Sequence, residues 1–185
     1  QAGRSSFDVA VFRMMVTDQL QPFQDAGGRT YYQNAGETKH IGIEIALLTQ
    51  FSRVFSLQST YTMSQYQFDR GELRDLRLPG IPVHHLFLGL RAVKGGVYGQ
   101  LATDFVSSTF AENDNTAPNT GYSIVDINVG YTKLYVGGAH IQPFVKASNV
   151  FDRDYVGSMV VNAFGGRYFE PSPGRTFQFG VSMSF

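Results

Sequence analysis

Apolar and polar side chains alternate along most of this chain, with the period of two that is typical of β-strands having one apolar and one polar face. The alternation is clear in "RTFQFGVSMSF" at the C-terminal end and in "KHIGIEIALLT". The first apolar segment is apolar at both parities, so the pattern does not assign its faces. The pattern predicts eight strands, at about residues 6–17, 39–49, 55–64, 85–92, 97–105, 125–131, 140–151 and 175–185.

The connections between these segments alternate between long and short, for example "YQFDRGELRDLRLPGIP" followed by "KGG". In an up-and-down antiparallel sheet, successive connections lie at opposite ends, so every long loop would share one end. Outer-membrane barrels have this asymmetry, and their strands need roughly 9 to 11 residues to cross the bilayer. We therefore predict an all-β fold of antiparallel, up-and-down transmembrane β-barrel strands. A soluble β-sandwich alternates in the same way and is the competing interpretation.

The composition is more typical of a membrane-spanning protein than of a soluble one. Charged residues make up 16% of the chain and Phe and Tyr 14%, against roughly 25% charged residues in an average soluble domain. The 15 basic and 15 acidic residues cancel, so no global field favours a nucleic-acid partner. The chain contains no Cys and does not begin with Met, and we expect it to be a processed, excised or incomplete product.

The sequence contains none of the enzyme and metal-binding motifs that its residue types could suggest. It has no G-x-S-x-G, H-E-x-x-H or phosphate-loop motif, and Asp104, Ser107 and His85 lack a spacing that would indicate a triad. His84 and His85 are adjacent, so on a strand they point to opposite faces. The acidic segment "AENDNTAPN" lacks calcium-loop spacing and is interpreted as a solvated loop. We predict no catalytic residue, no bound metal and no cofactor.

The polar parity of the strands defines a predicted inner face. Its charged residues are candidates for a stabilising polar network, or for hydrated or plug-contacting positions: Glu44, Arg91, Asp104, Asp126 and Lys146. The same face carries glycines that leave little side-chain volume to fill a closed eight-stranded interior: Gly42, Gly89, Gly130 and Gly180.

Several ordered motifs resemble the C-terminal part of TonB-dependent outer-membrane receptors over essentially the whole chain. "NAGETKHIGIE" is similar to a strand-start pattern of this family, and "NVFDRDY" to its usual N-L-F-D-x-x-Y with Val150 in place of Leu. "GGRYFEPSPGR" is similar to the segment before the last strand. The resemblance implies that residues 1–185 are the last part of a 22-stranded barrel, located in the bacterial outer membrane and without the plug domain.

The resemblance also implies partners and a ligand class. The ending is similar to the signal recognised by the barrel-assembly machinery, carried here by Gln178, Gly180, Met183 and Phe185. The other expected partners are outer-membrane lipid and lipopolysaccharide, the remaining plug and barrel portion of the receptor, and TonB through that portion only. Similar receptors commonly take up ferric siderophores.

The long loops carry the predicted ligand-binding residues. They combine planar cationic donors and aromatic faces, which suit carboxylate, catecholate or phosphate groups. For each of them, lipopolysaccharide contact or loop packing is the alternative role: Arg29, Tyr31, Tyr32, Arg70, Arg74, Arg77, Arg167 and Tyr168. At the level of the whole chain, the alternative is a free-standing eight-stranded outer-membrane barrel with a structural, adhesive or enzymatic role.

Overall fold

The computed structural model describes residues 3–34 and 36–184. All long elements in this part are strands, and one short 3₁₀ turn lies at Phe164–Gly166. No helix of the described residues is both long and apolar enough to cross a membrane. The strands are β1 (Arg4–Val16), β2 (Leu20–Gln24), β3 (Thr30–Asn34), β4 (Thr38–Gln50), β5 (Phe55–Phe68), β6 (His84–Lys94), β7 (Val97–Val106), β8 (Thr109–Phe110), β9 (Pro118–Asn119), β10 (Tyr122–Tyr131), β11 (Leu134–Val136), β12 (Ala139–Ser148), β13 (Val156–Met159), β14 (Phe169–Pro171) and β15 (Thr176–Ser184).

One antiparallel sheet contains every long strand, and we call it the wall. Its order is β1, β4, β5, β6, β7, β10, β12 and β15, with the short β11 also paired to β12. These eight long strands correspond to the eight predicted segments, so the prediction of up-and-down antiparallel strands is confirmed. Within the described residues, β1 pairs only with β4 and β15 only with β12, so the sheet is open at both edges.

The strand register assigns the two faces, including those of the first strand. Val9 lies opposite Ile45 and Val11 opposite Ile43, and Ile45 lies opposite Tyr61. Residues that face each other in an antiparallel pair have side chains on the same side of the sheet. The odd-numbered residues of β1 therefore belong to the apolar face, which the alternation alone did not establish.

Large apolar side chains of this face are exposed in the chain by itself. Phe7 is 64% exposed, Leu101 46% and Phe179 77%. A soluble sandwich would bury such a face against a second sheet, and the described residues form no second large sheet. The exposure is that expected of side chains that contact lipid.

A bulge interrupts the ladder between β10 and β12. Gly130 lies opposite Phe144 and Leu134 opposite Ile141, so residues 131–133 oppose only residues 142 and 143. Pro143, which has no backbone N–H to donate, lies opposite this bulge, and the extra residue is on the neighbouring strand. β11 therefore continues the line of β10 after the bulge.

The long connections all lie at one end of the wall, as predicted, but they are more structured than their sequences indicated. We call them loop 1 (residues 17–34, 36 and 37), loop 2 (69–83), loop 3 (107–121) and loop 4 (149–175). Loop 1 contains the β2–β3 hairpin, loop 3 the β8–β9 pair and loop 4 the β13–β14 hairpin. The short turns at residues 51–54 and 95–96 lie at the opposite end.

Well-buried residues are concentrated at the loop end of the wall. Phe68 is 1% exposed, Leu78 4%, Ala111 0% and Ala163 4%. Phe68 is the last residue of β5, and the other three lie in loops 2, 3 and 4. The loops therefore pack on one another and form what we call the loop cap, a layer of protein over one end of the wall.

Candidate functional site

Asn162 of loop 4 ties together three of the four long loops. Its side-chain Nδ2 donates to the carbonyl oxygen of Pro22 in loop 1 at 3.1 Å and to Oδ1 of Asn113 in loop 3 at 3.2 Å. Its Oδ1 accepts from the backbone N–H of Asn113 at 3.1 Å. Asn162 has a φ of 53°, a left-handed conformation that Asn adopts more readily than most residues.

Asn115 of loop 3 likewise links two loops, because its side chain bonds to the backbone of loop 2. Its Oδ1 accepts from the backbone N–H of Arg77 at 3.0 Å, and its Nδ2 donates to the Arg77 carbonyl at 2.8 Å. The Arg77 guanidinium lies over the Phe110 ring, 4.4 Å from its centroid. The acidic segment of loop 3 was interpreted as a solvated loop, which is wrong for Asn113 and Asn115 because both make part-buried hydrogen bonds to other loops.

Tyr168 joins loop 4 to loop 3 through its hydroxyl, which donates to the Glu112 carboxylate. This hydrogen bond raises the pKa of Tyr168 to about 12, because removing the phenol proton would leave two negative groups in contact. Tyr168 was predicted as a ligand-binding residue. In the structure its hydroxyl is already engaged by a neighbouring loop.

Three of the predicted arginines make ion pairs inside the loop cap. Arg29 pairs with Asp25 at 3.0 Å, Arg70 with Glu37 at 2.9 Å and Arg74 with Asp75 at 3.8 Å. Hydrogen bonds from Arg29 lower the pKa of Asp25, and the bond from the Arg29 backbone N–H has the largest effect. The arginines of these pairs are exposed, so water screens each pair and its contribution to stability is small. Their carboxylates partly neutralise the charge that an anionic ligand would meet.

The remaining aromatic and cationic candidates are less engaged. Tyr31 stacks on Phe23 with a centroid separation of 5.9 Å. Tyr32 is 66% exposed. Within the part of the chain that the structure describes, neither Tyr32 nor Arg167 makes a side-chain hydrogen bond, ion pair or ring contact. These two side chains are therefore the most available for an external ligand.

Arg167 lines a cleft of about 180 Å³ between the loop 1 hairpin and loop 4, together with Asp25 and Phe164. This volume is below the roughly 300–1,000 Å³ of pockets that hold drug-sized ligands. The cleft around Arg167 therefore supplies part of a ligand site at most. A larger groove of about 350 Å³, around Arg53 and Arg91, lies at the turn end of the wall, away from the loop cap.

On the inner face, the predicted charged residues form separate contacts. Lys146 pairs with Asp126 at 3.2 Å, and His85 bonds Asp104 at 3.1 Å. The Arg91 guanidinium lies 4.4 Å from the Tyr98 ring centroid. Glu44 has no ion pair among the described residues. The predicted network is therefore a set of local contacts across neighbouring strands.

Three of the four named inner-face glycines, Gly42, Gly130 and Gly180, are covered by an aromatic ring of the adjacent strand, a feature that the sequence analysis missed. Phe12 faces Gly42, Tyr98 faces Gly130 and Phe144 faces Gly180. A Cβ added to these glycines would lie 2.3, 2.5 and 2.3 Å from the facing ring, respectively. Each glycine thus provides the space for a ring that lies flat on the sheet, which changes the interpretation of these positions as thin or empty. Once the register is known, the pairing of Gly with an aromatic residue reveals them.

Two further predictions concern the histidines and the C-terminal signal. His84 and His85 point to opposite faces, since His84 contacts Tyr61 while His85 contacts Asp104. The described residues bring together no group of three His, Asp or Glu side chains suited to a metal. Gln178 and Gly180 lie on the inner face of β15 opposite Lys146 and Phe144, and Met183 lies on the apolar face. Phe185 lies outside the described residues.

A family model described as "TonB dependent receptor-like, beta-barrel" matches residues 1–139. This chain belongs to the β-barrel family of TonB-dependent receptors. The family is one of outer-membrane receptors rather than enzymes, so the predicted fold, location and non-enzymatic character are confirmed. The protein is a component of the outer membrane of Gram-negative bacteria.

Solved structures with the same fold are distant in sequence. The ferric yersiniabactin uptake receptor FyuA from Yersinia pestis has a TM-score of 0.80 and 19% identity, covering 98% of this chain and 28% of its own. The ferric-catecholate import receptor Fiu from E. coli K12 has a TM-score of 0.73 and 21% identity, covering 96% of this chain and 25% of its own. The copper transporter OprC has a TM-score of 0.75 and 19% identity, covering 100% of this chain and 29% of its own. The chain thus spans little more than a quarter of these proteins.

Proposed function

We propose that residues 1–185 form the last eight strands and four extracellular loops of an outer-membrane transporter that takes up a ferric siderophore or a similarly scarce ligand. The observation that carries this proposal is the open wall of a chain that belongs to the TonB-dependent receptor family. Unpaired strand edges are costly in a bilayer because lipid offers no hydrogen bonds. β1 and β15 therefore need partner strands from elsewhere in the receptor.

The strand order argues against a free-standing eight-stranded barrel. Such a barrel would require β1 to pair with β15, and the described residues contain no such ladder. Inner-face residues such as Ser56, Thr60 and Thr62 are small and polar, which suits a wide, hydrated lumen better than a filled interior. We propose that the lumen is occupied by a plug domain supplied by the rest of the receptor, and that TonB acts through that plug.

Other partners follow from the same placement. We propose that the barrel-assembly machinery recognises β15 through Gln178, Gly180, Met183 and Phe185. Lipid and lipopolysaccharide would contact the apolar face and its loop-end rim. For the transported ligand, an iron chelate is supported by the named cargo of FyuA and Fiu, whereas OprC is named for copper. Free copper is the second candidate cargo.

We propose that Arg167 in loop 4 and Tyr32 in loop 1 make direct ligand contacts. Arg29 and Tyr31, which lie close to Tyr32 in loop 1, would make further contacts with the ligand. An Arg guanidinium binds carboxylate or catecholate oxygens through paired N–H donors, and a Tyr ring offers a flat apolar face. Arg70, Arg74, Arg77 and Tyr168 would act mainly by ordering the loops, because each already contacts a neighbouring group.

The test uses the complete gene product in its own outer membrane. Uptake of radioactive iron would be measured with ferric catecholate, ferric hydroxamate and ferric citrate, beside radioactive copper, in cells with and without the gene. We expect one ferric chelate to depend on the gene, and its uptake to fall about tenfold in the Arg167→Ala/Tyr32→Ala double variant. Arg53→Ala, in a turn at the opposite end of the wall, is the matched control and should transport normally. Gene-dependent uptake of copper alone would contradict the siderophore assignment.

A further inference from the structure

Arg153 in loop 4 lies above the lipid-facing side of the wall, and its backbone is held there by hydrogen bonds. The Asn149 side chain donates from Nδ2 to the Arg153 carbonyl at 2.8 Å, and its Oδ1 accepts from the Arg153 backbone N–H at 3.0 Å. The Asn149 backbone N–H in turn donates to Oδ1 of Asp126 on β10 at 3.0 Å. Asn149 is only 3% exposed, so this clamp is shielded from water and fixes the backbone of Arg153 to the wall.

Arg153 lines a shallow groove of about 500 Å³ at the top of β7 and β10, together with Phe105, Ser107 and Ser123. Phe105 and Ser123 face each other in the strand register, on the apolar side of the sheet. Phe105 is 49% exposed. The groove thus combines a guanidinium, several hydroxyl-bearing side chains and an exposed aromatic ring, at the place where the lipid-facing surface meets the loop cap.

Arg153 differs from most other arginines of the loop cap because, among the described residues, no carboxylate pairs with its guanidinium. Four of them each have a carboxylate within 4.0 Å: Arg29, Arg70, Arg74 and Arg175. Arg153 has no such partner among the described residues, and the carboxylate of its neighbour Asp154 makes no ion pair with it. An exposed guanidinium of this kind is available for a planar, two-point contact with phosphate oxygens.

We propose that this groove binds the phosphate-bearing headgroup of a lipid in the outer leaflet, with Arg153 on the phosphate and the acyl region against Phe105. A lipid matches the groove because the apolar surface continues below it along the wall, through Leu86 and Leu101. A soluble phosphate would leave that apolar surface uncovered. The inference rests on the outer-membrane placement and on the proposed extracellular position of the loops, and it adds a lipid site distinct from the ligand cleft around Arg167.

The experiment measures lipopolysaccharide retained by the complete receptor after extraction from the outer membrane into mild detergent, by native mass spectrometry. Arg153→Ala should reduce the retained lipopolysaccharide about fivefold, the factor expected for one basic side chain at an anionic lipid surface. Arg153→Lys should retain more than Arg153→Ala because the charge remains. Arg175→Ala is the matched control, since this arginine lies at the same rim but already pairs with Asp152 at 3.8 Å.

A second arm separates the lipid headgroup from free phosphate. The purified receptor is presented with lipid A, with enzymatically dephosphorylated lipid A, and with lipid A in an excess of inorganic phosphate. The proposal expects binding of lipid A that depends on Arg153, little binding of the dephosphorylated form, and weak competition by inorganic phosphate. Efficient displacement by inorganic phosphate, or equal binding of the dephosphorylated form, would overturn it.

Two other results would also overturn the lipid site: unchanged retention in Arg153→Ala, or an equal loss in Arg175→Ala. Gel mobility with and without boiling verifies that each variant is folded. Iron uptake is measured on the same variants and should be normal in Arg153→Ala. If the receptor takes up no ferric chelate at all, the proposed cargo fails while the lipid result still stands.

Discussion

The wall and the loop cap are stabilised in opposite ways. In the wall, large apolar side chains such as Phe7 and Phe179 are 64% and 77% exposed, so their burial must come from lipid outside the chain. In the loop cap, Ala111 and Leu78 are 0% and 4% exposed, so the chain buries them itself. The comparison teaches that the membrane-spanning part depends on its surroundings, while the loops carry their own packed core and hydrogen bonds.

The largest expected effect comes from placing a charge on the lipid side of the wall. Leu101→Arg on the apolar face of β7 should destabilise the receptor by about 2–4 kcal/mol, the cost of an arginine near the bilayer midplane. Ala102→Arg, one residue later and on the inner face opposite Gly89 and Asp126, should cost far less because that side chain meets water. Urea unfolding of the receptor in lipid vesicles measures both. Equal losses would show that the two faces have been assigned incorrectly.

The ring-covered glycines of the inner wall give the next largest effect. Gly42→Ala places a Cβ 2.3 Å from Phe12 and 2.8 Å from the Met63 carbonyl oxygen, and overpacking of this kind costs about 1–3 kcal/mol. Gly99→Ala is the control, because a Cβ there meets nothing within 4 Å. The same unfolding assay should therefore separate the two variants. Substitution of Phe12 by Leu in the Gly42→Ala background should recover part of the loss, and no recovery would exclude the ring as the cause.

A substitution in the loop cap should act locally. Asn162→Gly removes three side-chain hydrogen bonds to loops 1 and 3 while still allowing the positive φ. We expect the free energy of loop opening to fall by about 1–2 kcal/mol. Protease should then cleave loops 1 and 4 faster, while the heat-dependent gel shift of the barrel stays unchanged.

The control for this variant is Asp114→Ala in the same cap. In the described part of the chain the Asp114 carboxylate accepts its hydrogen bonds from within loop 3, chiefly from Thr116. Its loss should therefore leave the contacts between loops intact and the cleavage of loops 1 and 4 slow. Loss of the gel shift in Asn162→Gly would show that the cap and the wall are not independent.

The smallest effect is a pH dependence of the contact between loops 3 and 4. The pKa of Tyr168 is raised to about 12 by its hydrogen bond to Glu112, above the ordinary value of about 10. A raised pKa means that this contact contributes fully below pH 10 and is lost as the pH rises through about 12. Ultraviolet titration of tyrosinate should show a late-ionising group that moves toward pH 10 in Glu112→Gln. An unchanged titration in that variant would remove Glu112 as the cause.

The wall could be predicted from the sequence because its signal is local. Side chains such as Ile41, Ile43 and Ile45 alternate within one strand, and the order of long and short connections gives the up-and-down arrangement without any long-range information. The resemblance of ordered motifs then indicated the family. The phase of β1 was not predictable, because both parities are apolar and only pairing with β4 assigns it.

The loop cap could not be predicted in the same way. Asn162 bonds to the Pro22 carbonyl across 140 positions of sequence, and Tyr168 reaches Glu112 across 56, so neither contact leaves a local pattern. Several predicted ligand residues therefore turn out to be held by other loops. Charge and aromatic character directed attention to the long loops, while the available side chains, Tyr32 and Arg167, emerged only from the contacts that the others make.

The central claim is that β1 and β15 are edges of a wall completed by other strands of the receptor. The absence of Cys from these 185 residues permits a direct test by engineered disulfides. In the complete gene product, Val9→Cys combined with Ile45→Cys is the positive control, because these residues face each other between β1 and β4. Val9→Cys would then be combined in turn with Phe177→Cys, Phe179→Cys and Val181→Cys on β15. We predict efficient cross-linking of the control and none between β1 and β15, whereas an equally efficient β1–β15 cross-link would mean that these eight strands close into a small barrel of their own.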